Sequence, residues 1–345
     1  MSILVLACFT ACASNVPAGN TDNNTDTDIK TPEVTEGDTG TVEPTDVNVF
    51  VLTGPTGIGA VQMWDRAEKE EYAYRYHFTA VATPTEVVSR ISKGEADIAA
   101  VATNLAAKMY QATEKGVKVL AVNTLGVLNI LTNKDLSVET WDDLRGKDVY
   151  SAGQGANPEY IVKYLMRKNG IDPDSDLTLH FVAEGSELVT VWANDPQAVL
   201  VAPQPVATSI LSKYEGSSLD MDLTEEWEKV SPDSALMMGC IIVRTAFLDE
   251  HPDAVAQFLK DYESSVALAN EDPVTTGELC AKYGIVAAAP VATKAIPYCH
   301  ITYVAGDEMR SGLEGYLKVM LDADASSIGG KLPDDDFYYH APGSR

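Results

Sequence analysis

Basic side chains are scarce in this chain: 25 Lys and Arg stand against 51 Asp and Glu, a formal charge of −26. So large an acidic excess opposes nucleic acid and repels anionic headgroups, so no nucleic-acid partner is expected. Long apolar runs are missing as well. No stretch reaches the ~18 to 20 apolar residues that a membrane-spanning helix needs. The 45% hydrophobic content and mean hydropathy of −0.07 are those of a soluble globular body. At 345 residues the chain can bury one large core or two ordinary ones. Catalytic signatures are thin. The five histidines (His77, His180, His251, His300, His340) are far apart, with no HExxH, no GxSxG elbow and no Cys–His arrangement. Of the five cysteines, Cys8 and Cys12 lie in an apolar leader, and Cys240, Cys280 and Cys299 are scattered singly. No CxxC pair occurs, an odd count argues against a disulfide framework, and the three scattered thiols read as buried and inert. No catalytic residue, metal site or cofactor is therefore expected.

What is present begins at the N-terminus. Residues 1–12, MSILVLACFTAC, are a short apolar run, then small residues, then Cys. A lipoprotein signal has this layout, and FTAC places the lipidated residue at Cys12, with Cys8 in VLAC the weaker fit; no Lys or Arg precedes the apolar run. Residues 13–46 are rich in Thr, Asp, Asn, Gly, Pro and Glu. Such a segment cannot bury enough surface to offset its chain entropy and reads as a disordered tether. Signal, tether and body suggest a monomer tied by a lipid anchor to the outer face of the cell membrane.

From residue 47, short β-branched runs alternate with segments of helical period, which predicts an α/β fold with mostly parallel sheets. The first series runs from VNVFVLTG (47–54) through ADIAAVA (96–102) to VKVLAVNTLGVLNILTN (117–133), read as one strand. A second series begins at DVYSAG (148–153) and includes AVLVAP (198–203). A third stretch returns with ALMMGCIIVR (235–244) and several helices, and the tail PDDDFYYHAPGSR reads as loosely packed. One near-repeat stands out. GEADIAAVATNLAA (94–107) and NDPQAVLVAPQPVAT (194–208) both pass from a polar turn through a short strand to a helix start.

Four segments, KGEADIAAVATNLA (93–105), DLRGKDVYSAGQGANPEYIVKYLMRKNGIDPDSDLTLHFVA (143–183), AVLVAPQPVATSIL (198–211) and CIIVRTAFLDEHPDAVAQFLKDY (240–262), carry a resemblance. They resemble the nitrate/sulfonate/taurine/thiamine-precursor class of ABC-importer solute-binding proteins. The resemblance implies a two-lobed periplasmic-binding-protein-like clamshell with two interlobe crossings, near residues 131–140 and 230–238. Lobe 1 would combine 47–132 with 237–345, and lobe 2 would be 137–232. It also implies capture of a small solute in the interlobe cleft and delivery to ABC permease subunits. In this class Glu usually stands between the two prolines of the third segment; here Gln204 takes that place. Two alternatives remain open: a fold-related enzyme of the pyrimidine-precursor synthase or menaquinone-pathway dehydratase type, or an exported sensor lipoprotein.

Ligands of open α/β sheets sit at the carboxyl ends of strands, where loops and helix starts offer free N–H groups. Thr53, Pro55, Thr56 and Gly57 form such a loop after the first strand, and Gly153, Gln154, Gly155 and Asn157 its counterpart in the second series. The glycines permit close backbone approach, but no GK[ST] follows, which excludes a P-loop. Thr103 and Asn104 follow ADIAAVA, Asn123 and Thr124 lie in an otherwise apolar strand, and Gln204 follows AVLVAP. Polar groups in such places must be satisfied by ligand, water or backbone. Glu184 is a weaker candidate. No arginine lies in these loops, and anionic ligands often recruit one, so the expected solute is neutral or weakly charged. An aromatic heterocycle would find stacking faces on Tyr160, Trp64, Trp192 or the Tyr72/Tyr74/Tyr76 run.

Overall fold

The computed structural model describes residues 45–133, 135–195 and 197–341. The leader with Cys8 and Cys12, and residues 13–44, lie outside this range. Two sheets organise the rest. The first holds β1 (Asp46–Leu52), β2 (Arg75–Val81), β3 (Ile98–Ala102), β4 (Val117–Thr124), β10 (Gly239–Arg244) and β11 (Ile301–Val304) in the order β11-β4-β10-β3-β1-β2. The second holds β5 (Leu128–Asn133), β6 (Asp148–Ala152), β7 (Thr178–Val182), β8 (Val199–Pro203) and β9 (Ser217–Asp222) in the order β7-β6-β8-β5-β9. The helices are α1 (Pro55–Ile58), α2 (Val61–Glu68), α3 (Pro84–Ser92), α4 (Thr103–Ala112), α5 (Asn157–Lys168), α6 (Glu187–Asn194) and α7 (Val206–Lys213). They continue with α8 (Leu223–Val230), α9 (Thr245–Glu250), α10 (Pro252–Glu271), α11 (Pro273–Lys282), α12 (Ala289–Ala295) and α13 (Gly306–Ala323). The result is a two-lobed α/β fold, one lobe on each sheet. No helix among the described residues is long and apolar enough to cross a membrane.

The two sheets share one pairing scheme. β1 pairs in parallel with β2 and β3, and β6 in parallel with β7 and β8. β10 lies antiparallel between β3 and β4, just as β5 lies antiparallel between β8 and β9. The near-repeat thus falls on equivalent units, β3–α4 and β8–α7. The sheets are mixed, however, and not mostly parallel as the alternation suggested. The reason is the route between lobes. Parallel strands need a crossover that returns the chain to the same end. β5 and β10 arrive directly from the other lobe, enter at the end where β4 and β9 finish, and so run the opposite way.

The first crossing also lies earlier than residues 131–140. β4 ends at Thr124 and β5 starts at Leu128 in the other sheet, so the break falls at 125–127 inside what read as one strand. The second crossing, 231–238, is tied to the first: the Met238 N–H donates to Thr124 O at 3.1 Å, and Thr103 N–H donates to Met238 O at 3.0 Å. Beside this junction Trp227 of α8 packs on Tyr316 of α13, with ring centroids 5.7 Å apart.

The tail is docked, contrary to the loose packing expected from its polar sequence. Phe337 is fully buried and Tyr338 nearly so. Lys115 pairs with Asp334 at 2.9 Å and Asp336 at 2.6 Å, and Tyr339 N–H donates to Val119 O at 2.9 Å. Acidic residues hid two buried aromatics in a stretch too short to show a period.

Candidate functional site

The strands β1, β3, β4 and β6 all end at one place, and β5 and β10 begin there. A cavity of about 440 Å³ opens between the lobes at this point. Its first-lobe wall comes from Pro55 and Thr56 after β1, Pro84 after β2, Ala102 and Asn104 at the β3–α4 junction, and Thr124 ending β4. Gly155, Ala156, Asn157 and Pro158 at the head of α5 face them from the second lobe. Val127 and Met238, from the two crossings, and Gly239, the first residue of β10, line it as well. Gly239 is required there, because a Cβ would come within 2.8 Å of Asn123 Oδ1 and 2.9 Å of Thr124 Cβ.

Six of the residues expected from sequence therefore meet: Pro55, Thr56, Asn104, Thr124, Gly155 and Asn157. Seven do not line the cavity: Thr53, Gly57, Thr103, Asn123, Gly153, Gln154 and Gln204. Most of these shape it from behind. The Asn123 carboxamide, buried, donates through Nδ2 to Thr56 O at 2.8 Å and to Tyr262 Oη at 2.9 Å, so it fixes the α1 turn. Thr103 Oγ1 donates to Met237 O at 2.7 Å and grips the second crossing. Gly57 gives the chain room, since a Cβ would lie 2.6 Å from Leu52 O. Gly153 turns the loop at φ 79°, while Thr53 and Gln154 are exposed. Gln204 is spent internally: Nε2 donates to Asn129 Oδ1 at 2.9 Å, and Oε1 accepts from Thr208 Oγ1 at 2.7 Å. Polar residues in strands had to be satisfied, and here the protein itself does it.

Two carboxamides on the wall are different. Asn157 is only 6% exposed, and its Oδ1 is cut off from solvent with no hydrogen-bond partner among the described residues. Leaving a buried acceptor unmade costs about 1–3 kcal/mol, which singles it out on this wall. Asn104, half-buried at the first turn of α4, makes no side-chain hydrogen bond among the described residues.

Sequence reasoning named Tyr160 only as one of several stacking candidates, and it missed Pro84, Leu105, Lys108, Met238, Gly239, Ser326 and Ser327 on the wall. Tyr160, on the first turn of α5, spans the cleft mouth. Its hydroxyl donates to Asp324 Oδ2 at 2.8 Å and lies 3.1 Å from Gly155 O. Asp324 follows α13 and caps the turn carrying Ser326 and Ser327, accepting from Ser326 N–H at 2.8 Å. Burial and then the Asp324 bond push the Tyr160 hydroxyl up to about 12. The Ser326 bond and then Tyr160 hold the Asp324 carboxyl below its ordinary range. Both stay in their bonded forms across neutral pH. No signal in the sequence could have paired residues 160 and 324.

Other hollows lie elsewhere. A groove of about 530 Å³ continues outward from Tyr160 between α5 and α13. Another, of about 600 Å³, on the edge of the first sheet, collects Trp64, Tyr72, Tyr74 and Tyr76, so these rings do not reach the cleft. Trp192 is core. Buried Cys240 and Cys299 have their thiols pushed up by desolvation, which removes the thiolate needed for reactivity. Among the described residues no three His, Cys, Asp or Glu side chains are grouped to hold a metal.

Comparison with known proteins agrees with this geometry. The family described as NMT1/THI5 like matches residues 78–276. Among solved structures, an ABC transporter protein from Parabacteroides distasonis superposes with a TM-score of 0.72 at 20% identity, covering 86% of this chain and 99% of that one. The periplasmic aliphatic sulphonate binding protein SsuA from Escherichia coli gives 0.69 at 12% identity, covering 86% and 93%. The periplasmic nitrate-binding protein NrtA from Synechocystis gives 0.53 at 13% identity, covering 73% and 69%. No curated protein matches the chain. With more than half of its length matched and two lobes meeting at a strand-end cavity, this chain belongs to the NMT1/THI5-like family.

Proposed function

We propose that this protein is the extracytoplasmic solute-binding component of an ABC importer, which captures a small solute in the interlobe cavity and hands it unaltered to permease subunits. One observation carries the reading. Loops from both lobes converge on a cavity of about 440 Å³ whose wall holds two carboxamides: Asn104, with no side-chain hydrogen bond among the described residues, and Asn157, whose Oδ1 has no partner among them. A site assembled from two bodies can open and close around a guest. The structural neighbours named as sulphonate and nitrate binders support the same role. Pro55, Thr56, Asn104, Thr124, Gly155 and Asn157 are the solute contacts of this reading, with Asn123 fixing the Thr56 turn and Thr103 the second crossing beside Asn104. No residue is assigned a catalytic role. The FTAC segment ending at Cys12, with the polar stretch after it, supports a lipid anchor that holds the protein outside the cell membrane.

The test is to purify the protein, release any bound compound, and identify it by mass spectrometry. A thermal-shift screen of residues 47–345 follows. A true solute should raise the melting midpoint by mass action and be recovered unchanged. Recovery of a chemically converted compound would end the importer reading.

The Tyr160–Asp324 bond adds a kinetic expectation. Because it joins the lobes at the cleft mouth, Tyr160→Phe should speed solute release several-fold while leaving the melting temperature of the empty protein nearly unchanged. Stopped-flow displacement measures the release. An unchanged rate would mean that the bond does not hold the cleft shut.

A further inference from the structure

At the β2 edge of the first sheet, aromatic side chains gather around the groove of about 600 Å³. Tyr74, Tyr76 and Phe78 recur at every second position into β2 and so share one face of the strand. Tyr76 is buried, with its hydroxyl donating to Asp261 at 2.8 Å, while Tyr74 and Phe78 are half-buried. From α2, Trp64 stacks on Phe78 and on Tyr283, with centroids 5.5 Å and 4.3 Å apart, and Tyr72 meets Tyr76 edge-on at 5.4 Å. Partly exposed rings held in fixed positions attract cations to their faces. The protein already uses this attraction beside the groove, where Lys282 Nζ stands 4.6 Å from the Tyr283 centroid.

The turn after α2 adds a carboxylate. Glu71 N–H donates to Arg66 O at 3.1 Å and Glu70 N–H to Ala67 O at 3.0 Å, the pair of bonds that closes a helix on a left-handed residue. Glycine suits that position, yet it holds Glu70 at φ 58°, a conformation that costs an L side chain stability. No internal contact offsets the cost. The Glu70 carboxylate is exposed on the groove wall and makes no hydrogen bond or ion pair among the described residues. The other charges of the groove are engaged: Arg75 and His77 each lie 2.8 Å from Asp46, and Glu68 pairs with Lys282 at 3.0 Å. Backbone strain kept at a cavity wall points to a use for the side chain that imposes it.

We propose that this groove is a binding site for an organic ammonium ion, its charged head against Glu70 and its apolar substituents on the rings of Trp64, Tyr72 and Tyr74. Charge selects this class. The formal charge of −26 draws cations to the surface, whereas a neutral guest would leave Glu70 without a counter-charge. A bare metal ion is disfavoured, because no three His, Cys, Asp or Glu side chains are grouped here or elsewhere among the described residues. The groove shares no residue with the interlobe cavity, so the inference is independent of what the cleft binds.

Choline and 3,3-dimethyl-1-butanol, alike in shape and different in charge, test it. Trp64 is half-buried whereas Trp141, Trp192 and Trp227 are buried, so quenching of tryptophan fluorescence reports on the groove. Both probes are titrated into the full chain, Glu70→Gln, Glu70→Gly and Asn104→Ala. The wild type and Asn104→Ala should bind choline about fivefold or more tighter than the alcohol. Glu70→Gln, which keeps the shape and removes the charge, should lose most of that preference. Glu70→Gly should lose it too and yet melt higher than the wild type, because glycine relieves the turn. A purely structural Glu70 would give no such opposition of stability and binding. Four results overturn the proposal: equal binding of the two probes by the wild type, an undiminished preference in both Glu70 variants, loss of choline binding in Asn104→Ala, or no saturable response to either probe. The third would place choline in the interlobe cleft instead.

Discussion

Phe337→Ala should destabilise the protein by about 3–5 kcal/mol, the range for emptying a large buried aromatic site. Phe337 is fully buried, with its ring edge-on to Tyr110 at 5.1 Å and to Tyr338 at 5.2 Å between centroids. The surrounding contacts are not able to collapse easily. Tyr110 donates to Asp334, and Tyr339 N–H reaches Val119 O of β4 at 2.9 Å. Truncation before Pro333 should therefore cost more than the single substitution, because Tyr338 and both carboxylate partners of Lys115 leave with it. Urea denaturation measures the difference as a drop in midpoint at constant slope. A loss below about 1 kcal/mol, the scale of a surface change, would mean that the tail is not part of the first lobe's core.

Gly126→Ala should be the most damaging single-methyl change at the junction of the lobes. A Cβ at Gly126 would overlap Thr224 Oγ1 and come within 2.7 Å of Leu236 Cδ2. Thr224 opens α8 in the second lobe, and Leu236 belongs to the second crossing. The methyl group would thus push on both lobe connections at once. His300 tightens the same point: its Nδ1 lies 2.7 Å from Gly126 O, so Nδ1 carries the proton and donates, and Leu125 N–H donates to His300 O at 3.2 Å. Overpacking of this kind costs about 1–3 kcal/mol. It should also shift the angle between lobes, read as a changed radius of gyration in small-angle scattering. A variant with wild-type melting and an unchanged radius would show that the crossing has slack to spare.

Much of this architecture was legible in the sequence, and the losses have physical reasons. The β3–α4 and β8–α7 units could be matched because each is a local pattern of polar turn, apolar strand and helix start. Strand direction could not, since β5 and β10 take theirs from which lobe the chain has just left. Gly126 was the one visible sign that residues 117–133 hold two strands, and the continuous apolar run around it masked the break. At the cavity, the glycine-bearing loops and Asn157 were readable from turn and helix-start chemistry. Asn123, Thr103 and Gln204 were equally polar in equally apolar settings, but tertiary partners claimed their hydrogen bonds. Tyr160 and Ser326 meet at the cleft only through the packing of α13 against α5, a contact between segments more than 150 residues apart.

The position of β10 bears on the order in which the molecule can be completed during synthesis. It fills the gap between β3 and β4, yet about 115 residues separate it from β4. Everything the second sheet requires, from Leu128 to Asp222, has left the ribosome before Gly239 does. The half of the protein whose synthesis begins first is thus the last to close. Until then Val101 and Val122, which β10 covers at Cys240, remain bare strand edges for a chaperone to shield.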